Sequence, residues 1–185
     1  AGGKETPVLY AFGFERIGVV VGDLYFVNPR PEPRNEGPEQ GVRLEVRLFE
    51  RGPARGSVYS AQAIAVDRPL WRVDLLEAVD RPGTLDRAHH HPRFDGWEPG
   101  ARHFVAGLTA DPLGWLHGRL SAFGEVLTQA GVAADEVGPG DVAAVSGAAG
   151  DLVATARRLL AAVRASAIGS TLPATSATGV RVGWL

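Results

Sequence analysis

Cysteine is absent from the 185 residues, and lysine occurs only at Lys4. Without a thiol the chain forms no disulfide, carries no cysteine nucleophile, and holds neither thiolate-bound zinc nor an iron–sulfur cluster. An excess of charge of one sign is lacking as well. The 19 Lys+Arg against 21 Asp+Glu leave a net charge of −2, and the basic residues are scattered rather than massed, so nucleic acid is not an expected partner. No apolar run approaches the length of a membrane span, and the opening residues Ala1 to Pro7 lack the apolar stretch of a signal peptide. No membrane partner and a cytoplasmic location are therefore expected. P-loop, G-x-G-x-x-G, H-E-x-x-H and EF-hand patterns are missing, and Ser146 lies in Ala-Val-Ser-Gly-Ala, which is not a nucleophile elbow. The common nucleotide and protease mechanisms have no support.

What remains is an ordinary globular composition, 45% hydrophobic and 22% charged, in a chain long enough to bury a core of its own. Its richness in Arg, Ala and Gly leads to the expectation of a GC-rich, bacterial source genome. One domain, 1–185, is expected: an N-terminal arm at 1–13, a β-rich part at 14–108, a helical part at 111–168 and a tail at 169–185.

Periodicity supports that division. The run Ile17 to Val27 is β-branched and aromatic around Gly22-Asp23, which reads as two short strands joined by a tight turn. Asn28 to Gly41, with prolines at 29, 31, 33 and 38, reads as a loop, either a lid or a disordered surface excursion. Val42 to Leu48 alternates strictly, with Val42, Leu44, Val46 and Leu48 on one face and Arg43, Glu45 and Arg47 on the other. Val58 to Val66 supplies a return strand, Asp67-Arg68-Pro69 a turn, and Leu70 to Val79 a third strand with Trp71, Val73 and Leu75 facing the core. Arg102 to Leu108 reads as a last strand.

The period then lengthens to that of a helix. Asp111 with Pro112 opens one, whose stripe Leu113, Leu116, Leu120, Phe123 and Leu127 runs to Gly131. A short helix starts at Asp141, and Asp151 opens a second long one that reaches Ile168. The tail ends in Val180 to Leu185, a segment of strand character that docks back on the body. The expected fold is α+β: a curved or barrel-like antiparallel sheet packed by two long C-terminal helices.

Two groupings carry possible chemistry. Between Arg87 and His103 stand four of the five histidines. Extended backbone before Pro92 puts His89 and His91 on one side and His90 on the other. Such an H-x-H pair is a two-imidazole chelate, which His103 with Asp95 or Glu98 would complete for zinc, iron or another divalent metal. Metal-free alternatives are a general base, an anion site with Arg87, Arg93 or Arg102, or imidazoles bonded to backbone. Trp97 is placed either to stack on a ligand or to anchor its loop.

The second grouping is the sheet's polar face, read as Arg43, Glu45, Arg47, Arg72, Asp74 and Glu77. On an open sheet these charges pair across strands, whereas in a barrel they line a polar cavity. The candidate catalytic residues are His89, His91, Asp74 and Glu77. The candidate ligand contacts are Arg47, Arg72, Arg93, Trp97 and Arg102, and the candidate metal ligands are His89, His91 and His103. The expected function is a small-molecule-binding protein or enzyme of unspecified reaction with a divalent metal as possible cofactor. The alternative is a non-catalytic interaction or homodimerising module.

Overall fold

A computed structural model describes residues 8–30, 37–169 and 181–182. The Pro-rich loop's 31–36 and the tail's 170–180 lie outside the described residues.

The fold is α+β. Strands β1 (Leu9–Gly13), β2 (Ile17–Val27), β3 (Pro38–Ala54), β4 (Gln62–Ala78) and β5 (His89–His91) follow one another across an antiparallel sheet in chain order. A small hairpin, β6 (Phe94–Asp95) and β7 (Glu98–Pro99), stands apart, and the two-residue β8 (Arg181–Val182) pairs with β2 at Tyr25 and Leu24. The path runs from β1 to β5 without closing on itself, so the sheet is open and not a barrel.

Several local expectations give way to long-range pairing. Gly22-Asp23 does not turn, because β2 is registered against β3 without interruption from Ile17↔Leu48 to Val27↔Pro38. Asp23 spends its polar groups on the β1 end instead, where Val8 N–H donates to its carboxylate at 2.8 Å. That ladder also draws Pro38 to Gly41 out of the expected loop, with proline tolerated as the first residue of the strand. The expected return strand and third strand are one strand, β4. Asp67-Arg68-Pro69 is not a turn but an irregularity inside it, with the register slipping on either side of Arg47↔Pro69. The arm's Leu9–Gly13 is a strand, and Arg102 to Leu108 is not. His103 makes an isolated bridge to His90, and Ala106 already starts a helix.

Among the described residues five α-helices cover one face: α1 (Ala106–Ala110), α2 (Pro112–Ser121), α3 (Phe123–Ala130), α4 (Asp141–Gly147) and α5 (Ala149–Gly169). The first expected long helix is broken at Ala122, which leaves the helical conformation and re-aims the stripe so that Phe123, Val126 and Leu127 are buried. Asp111 caps α2 through Gly114 N–H at 3.0 Å. The second long helix stands as α5, beginning two residues before Asp151. No helix among the described residues is long and apolar enough to cross a membrane.

The core lies between the helices and one sheet face. Cross-strand rows Val19↔Val46↔Trp71 and Val21↔Leu44↔Val73 supply the sheet side, and Leu108, Leu116, Leu120, Leu152, Ala156 and Leu160 the helical side. Each fully buried aliphatic side chain contributes about 1.5–3 kcal/mol. Asp141, 0% exposed, pins the helical layer to the β1–β2 turn by accepting from Glu15 N at 2.9 Å, Arg16 N at 3.1 Å and Gly138 N at 2.7 Å.

Candidate functional site

The opposite face of the sheet is polar, and the register builds it in rows. One row is Gly22↔Arg43↔Asp74↔His89, and the next is Val20↔Glu45↔Arg72↔His91. Each ends in acid, arginine and histidine because period two keeps every second residue on this face. His90, between them, joins the row of Val73 on the core side.

Strand β5 is held in place by the turn before it. Glu77 accepts from Gly83 N at 2.8 Å and Leu85 N at 3.4 Å, Asp86 accepts from Ala78 N at 3.0 Å, and Arg87 N donates to Leu76 O at 3.0 Å. On its far side His90 exchanges both backbone bonds with His103. Pro92 then ends the strand.

Asp74, His89 and His91 are all buried, and one donor atom from each lies within 4.8 Å of the others. Asp74 Oδ2 stands 3.4 Å from His89 Nε2 and 3.8 Å from His91 Nε2. The other ring nitrogens are engaged with backbone carbonyls, His89 Nδ1 with Arg87 O at 2.7 Å and His91 Nδ1 with Gly100 O at 2.8 Å. A carbonyl only accepts, so each Nδ1 carries the hydrogen. In the neutral tautomer each Nε2 therefore presents a lone pair, and both lone pairs face a carboxylate oxygen. Burial, first, then the positive charge of Arg72 push the His91 pKa down to about 4, outweighing Asp74. That ring is neutral at pH 7.

Asp74 is ionised. Burial acts to raise its pKa, but the charge of Arg43, the His89 contact and the charge of Arg72 outweigh it and hold the carboxyl well below its usual range. Arg43 grips it through Nε at 2.7 Å and Nη2 at 3.1 Å, and Arg72 Nε approaches to 3.4 Å. Glu45 sits between Arg47 Nη1 at 3.3 Å and Arg72 Nη1 at 3.5 Å. Arg47 also donates through Nε to Asp67 O at 2.7 Å, a carbonyl that the irregular stretch of β4 presents. Aromatic rings fringe the face: Arg47 lies over Trp97 at 5.1 Å, Arg72 over Phe94 at 5.6 Å, and His89 is 5.5 Å from Phe104.

The other candidates fall elsewhere. Glu77 is on the core face of β4, paired with Arg164 of α5 at 3.0 and 2.8 Å. His103 faces His90, with ring centroids 5.7 Å apart, and is not in the Asp74, His89 and His91 group. Arg93 donates to Gln129 O at 2.7 Å, beside an open pocket of about 340 Å³ lined by Pro92, Arg93, Gly100, His103 and Gln129. That pocket contains none of Asp74, His89 and His91. Arg102 shares the polar face but grips Glu39, 0% exposed, with two bonds of 3.0 Å. Asp95 and Glu98 pair in the β6–β7 hairpin.

Glu39, Phe94 and Phe104 are site neighbours that sequence reasoning passed over. The alternation of Arg43, Glu45 and Arg47 extends back through Gly41 to Glu39, and that was the available signal. Compared with models of protein families, with curated proteins and with solved structures, the chain matches none. Function therefore has to be argued from these side chains.

Proposed function

We propose that the chain is a small-molecule-binding protein or enzyme built around a divalent metal held by Asp74 Oδ2, His89 Nε2 and His91 Nε2. The supporting observation is the convergence of a carboxylate oxygen and two imidazole Nε2 atoms, with the Nδ1 hydrogen of each ring committed to a backbone carbonyl. With both rings neutral, two imidazole lone pairs and a carboxylate oxygen repel one another unless a metal joins them or His89 Nε2 takes up a proton and donates to Asp74. Ligands about 2.1 Å from a tetrahedral metal stand about 3.4 Å apart, against 3.4 and 3.8 Å for the two histidine–aspartate separations. The backbone carbonyls on each Nδ1 are the outer partners that orient metal-binding histidines. Two imidazoles and one carboxylate suit zinc or iron(II) and leave positions open, where a metal acts as a Lewis acid. Against this stand Arg43 and Arg72, which compete for the carboxylate.

The test is metal analysis of protein purified without a histidine tag, together with zinc and iron(II) titration by calorimetry. Stoichiometric uptake, abolished in the His89→Ala/His91→Ala double variant, is expected. A metal-free protein whose melting temperature ignores both ions, with His89 doubly protonated by nitrogen-15 NMR, would establish instead an imidazolium–aspartate pair.

A second reading, a homodimerising module, draws on the far end of the β3–β4 hairpin. There Val58 is 89%, Tyr59 93% and Ile64 65% exposed. A dimeric mass that persists on dilution and is lost in Tyr59→Ser would favour it.

A further inference from the structure

We infer that Arg72, flanked by Arg47, forms a subsite for a small monocarboxylate whose apolar body lies against Phe94 and Trp97. The inference deepens the metal reading by naming the ligand class of the same face, but it rests on different atoms.

The first ground is the uneven use of the guanidiniums. Arg43 is committed to Asp74 by a short two-point grip. Arg72 approaches its acids only at 3.4 and 3.5 Å, and its buried Nε completes no hydrogen bond. A planar fork held short of ideal contact is matched to a second carboxylate that approaches in its plane. Its side chain keeps 11% exposure, none of it at the buried Nε, so a ligand would meet the rest of the guanidinium.

The second ground is charge. Arg43 and Arg72 on these rows, with Arg47 on the adjoining one, face Glu45 and Asp74, three positive against two negative groups. The surplus of one favours a monoanion, and a metal on Asp74 would increase it. A phosphate dianion suits this face less, because both of its charges would lie near Glu45 and Asp74.

The third ground is the apolar fringe. The β6–β7 hairpin presents Phe94 beside Arg72 and Trp97 beside Arg47, and Trp97 is 59% exposed. A carboxylate on Arg72 would place its attached carbon skeleton against these rings.

Benzoate serves as the probe, benzamide as its neutral isostere and inorganic phosphate as the competing anion. Binding is followed by calorimetry and by the Trp97 indole resonance, assigned with Trp97→Phe, on metal-free and zinc-loaded protein. Benzoate should bind at least tenfold more tightly than benzamide and shift the Trp97 signal. Arg72→Gln should weaken benzoate at least tenfold while zinc uptake persists. Should that variant not fold, Arg72→Lys and Arg47→Gln replace it, each expected to weaken benzoate several-fold. Equal affinity for benzoate and benzamide, indifference to the arginine variants, or displacement by equimolar phosphate would overturn the inference. Zinc uptake without benzoate binding refutes this subsite alone, and benzoate binding without metal uptake refutes the metal reading alone.

Discussion

Replacing Asp74 by asparagine keeps the shape of the side chain and removes its charge, which makes it the sharpest probe of the polar face. Asp74 is 1% exposed, and its carboxylate accepts from Arg43 at 2.7 and 3.1 Å with Arg72 at 3.4 Å. Removing one partner of a buried ion pair costs about 3–5 kcal/mol, because the other charge is left uncompensated. Here the arginine side chains keep 17% and 11% exposure, so water screens part of that loss. The amide N–H introduced by Asp74→Asn would also donate to an imidazole Nε2, relieving the lone-pair repulsion. The expected loss is therefore about 3 kcal/mol, or about 6–12 °C in melting temperature for a chain of this size. Calorimetric unfolding in a chelating buffer at pH 7 measures it. The Asp74 pKa is depressed on folding, so its contribution is present above the unfolded carboxylate value of about 3.9 and is lost as pH falls through the folded value. The gap between wild type and variant should hold from pH 5 to pH 8 and narrow below about pH 4. Zinc at about 100 times its dissociation constant should add about 2.7 kcal/mol to the wild type and little to the variant. A loss under about 1 kcal/mol, the size of a surface pair, or a gap that widens in acid would refute the reasoning.

Other predictions test the supports of the site. Glu77→Gln breaks the two-point pair with Arg164 and weakens the turn that delivers β5, at a cost of about 2–3 kcal/mol in denaturant unfolding at pH 7. Because the Glu77 pKa is lowered, burial being outweighed by Arg164 and the Gly83 N–H, that difference too should shrink as pH falls below about 4. Gly41→Ala would set a Cβ 2.0 Å from Leu75 O at a φ of +153°, so a loss above about 4 kcal/mol, or insoluble protein on expression, is expected. Asp141→Ala orphans the N–H groups of Glu15, Arg16 and Gly138 and should cost about 3 kcal/mol, with hydrogen exchange accelerated first at the β1–β2 turn.

The legible parts were those in which neighbours along the chain decide the outcome. Alternation placed Val42, Leu44 and Val46 inside and Arg43, Glu45 and Arg47 outside, and it put His89 and His91 on one side of their strand. Period two also separates Glu77 from Asp74, three residues away, so its grouping with the polar face was a misreading of a signal that was present. Turn residues misled at Gly22-Asp23 and at Asp67-Arg68-Pro69. In both places ladder bonds to β3 outweigh local preference, and in the second the strand absorbs its proline by slipping register. The break at Ala122 has no glycine or proline at the break itself to announce it.

Taken alone, the chain determined the order of strands before helices, which side chains share a face, and the exclusion of thiolate chemistry. Those follow from bond geometry and composition. Only the tertiary structure decided that β4 lies between β3 and β5, and hence that Asp74 meets Arg43 on one side and His89 on the other. Strand neighbours and register are settled by the whole ladder and the core beneath it. For the same reason His103 lies across from His90 and outside the candidate metal centre, although the sequence sets both in one histidine-rich segment.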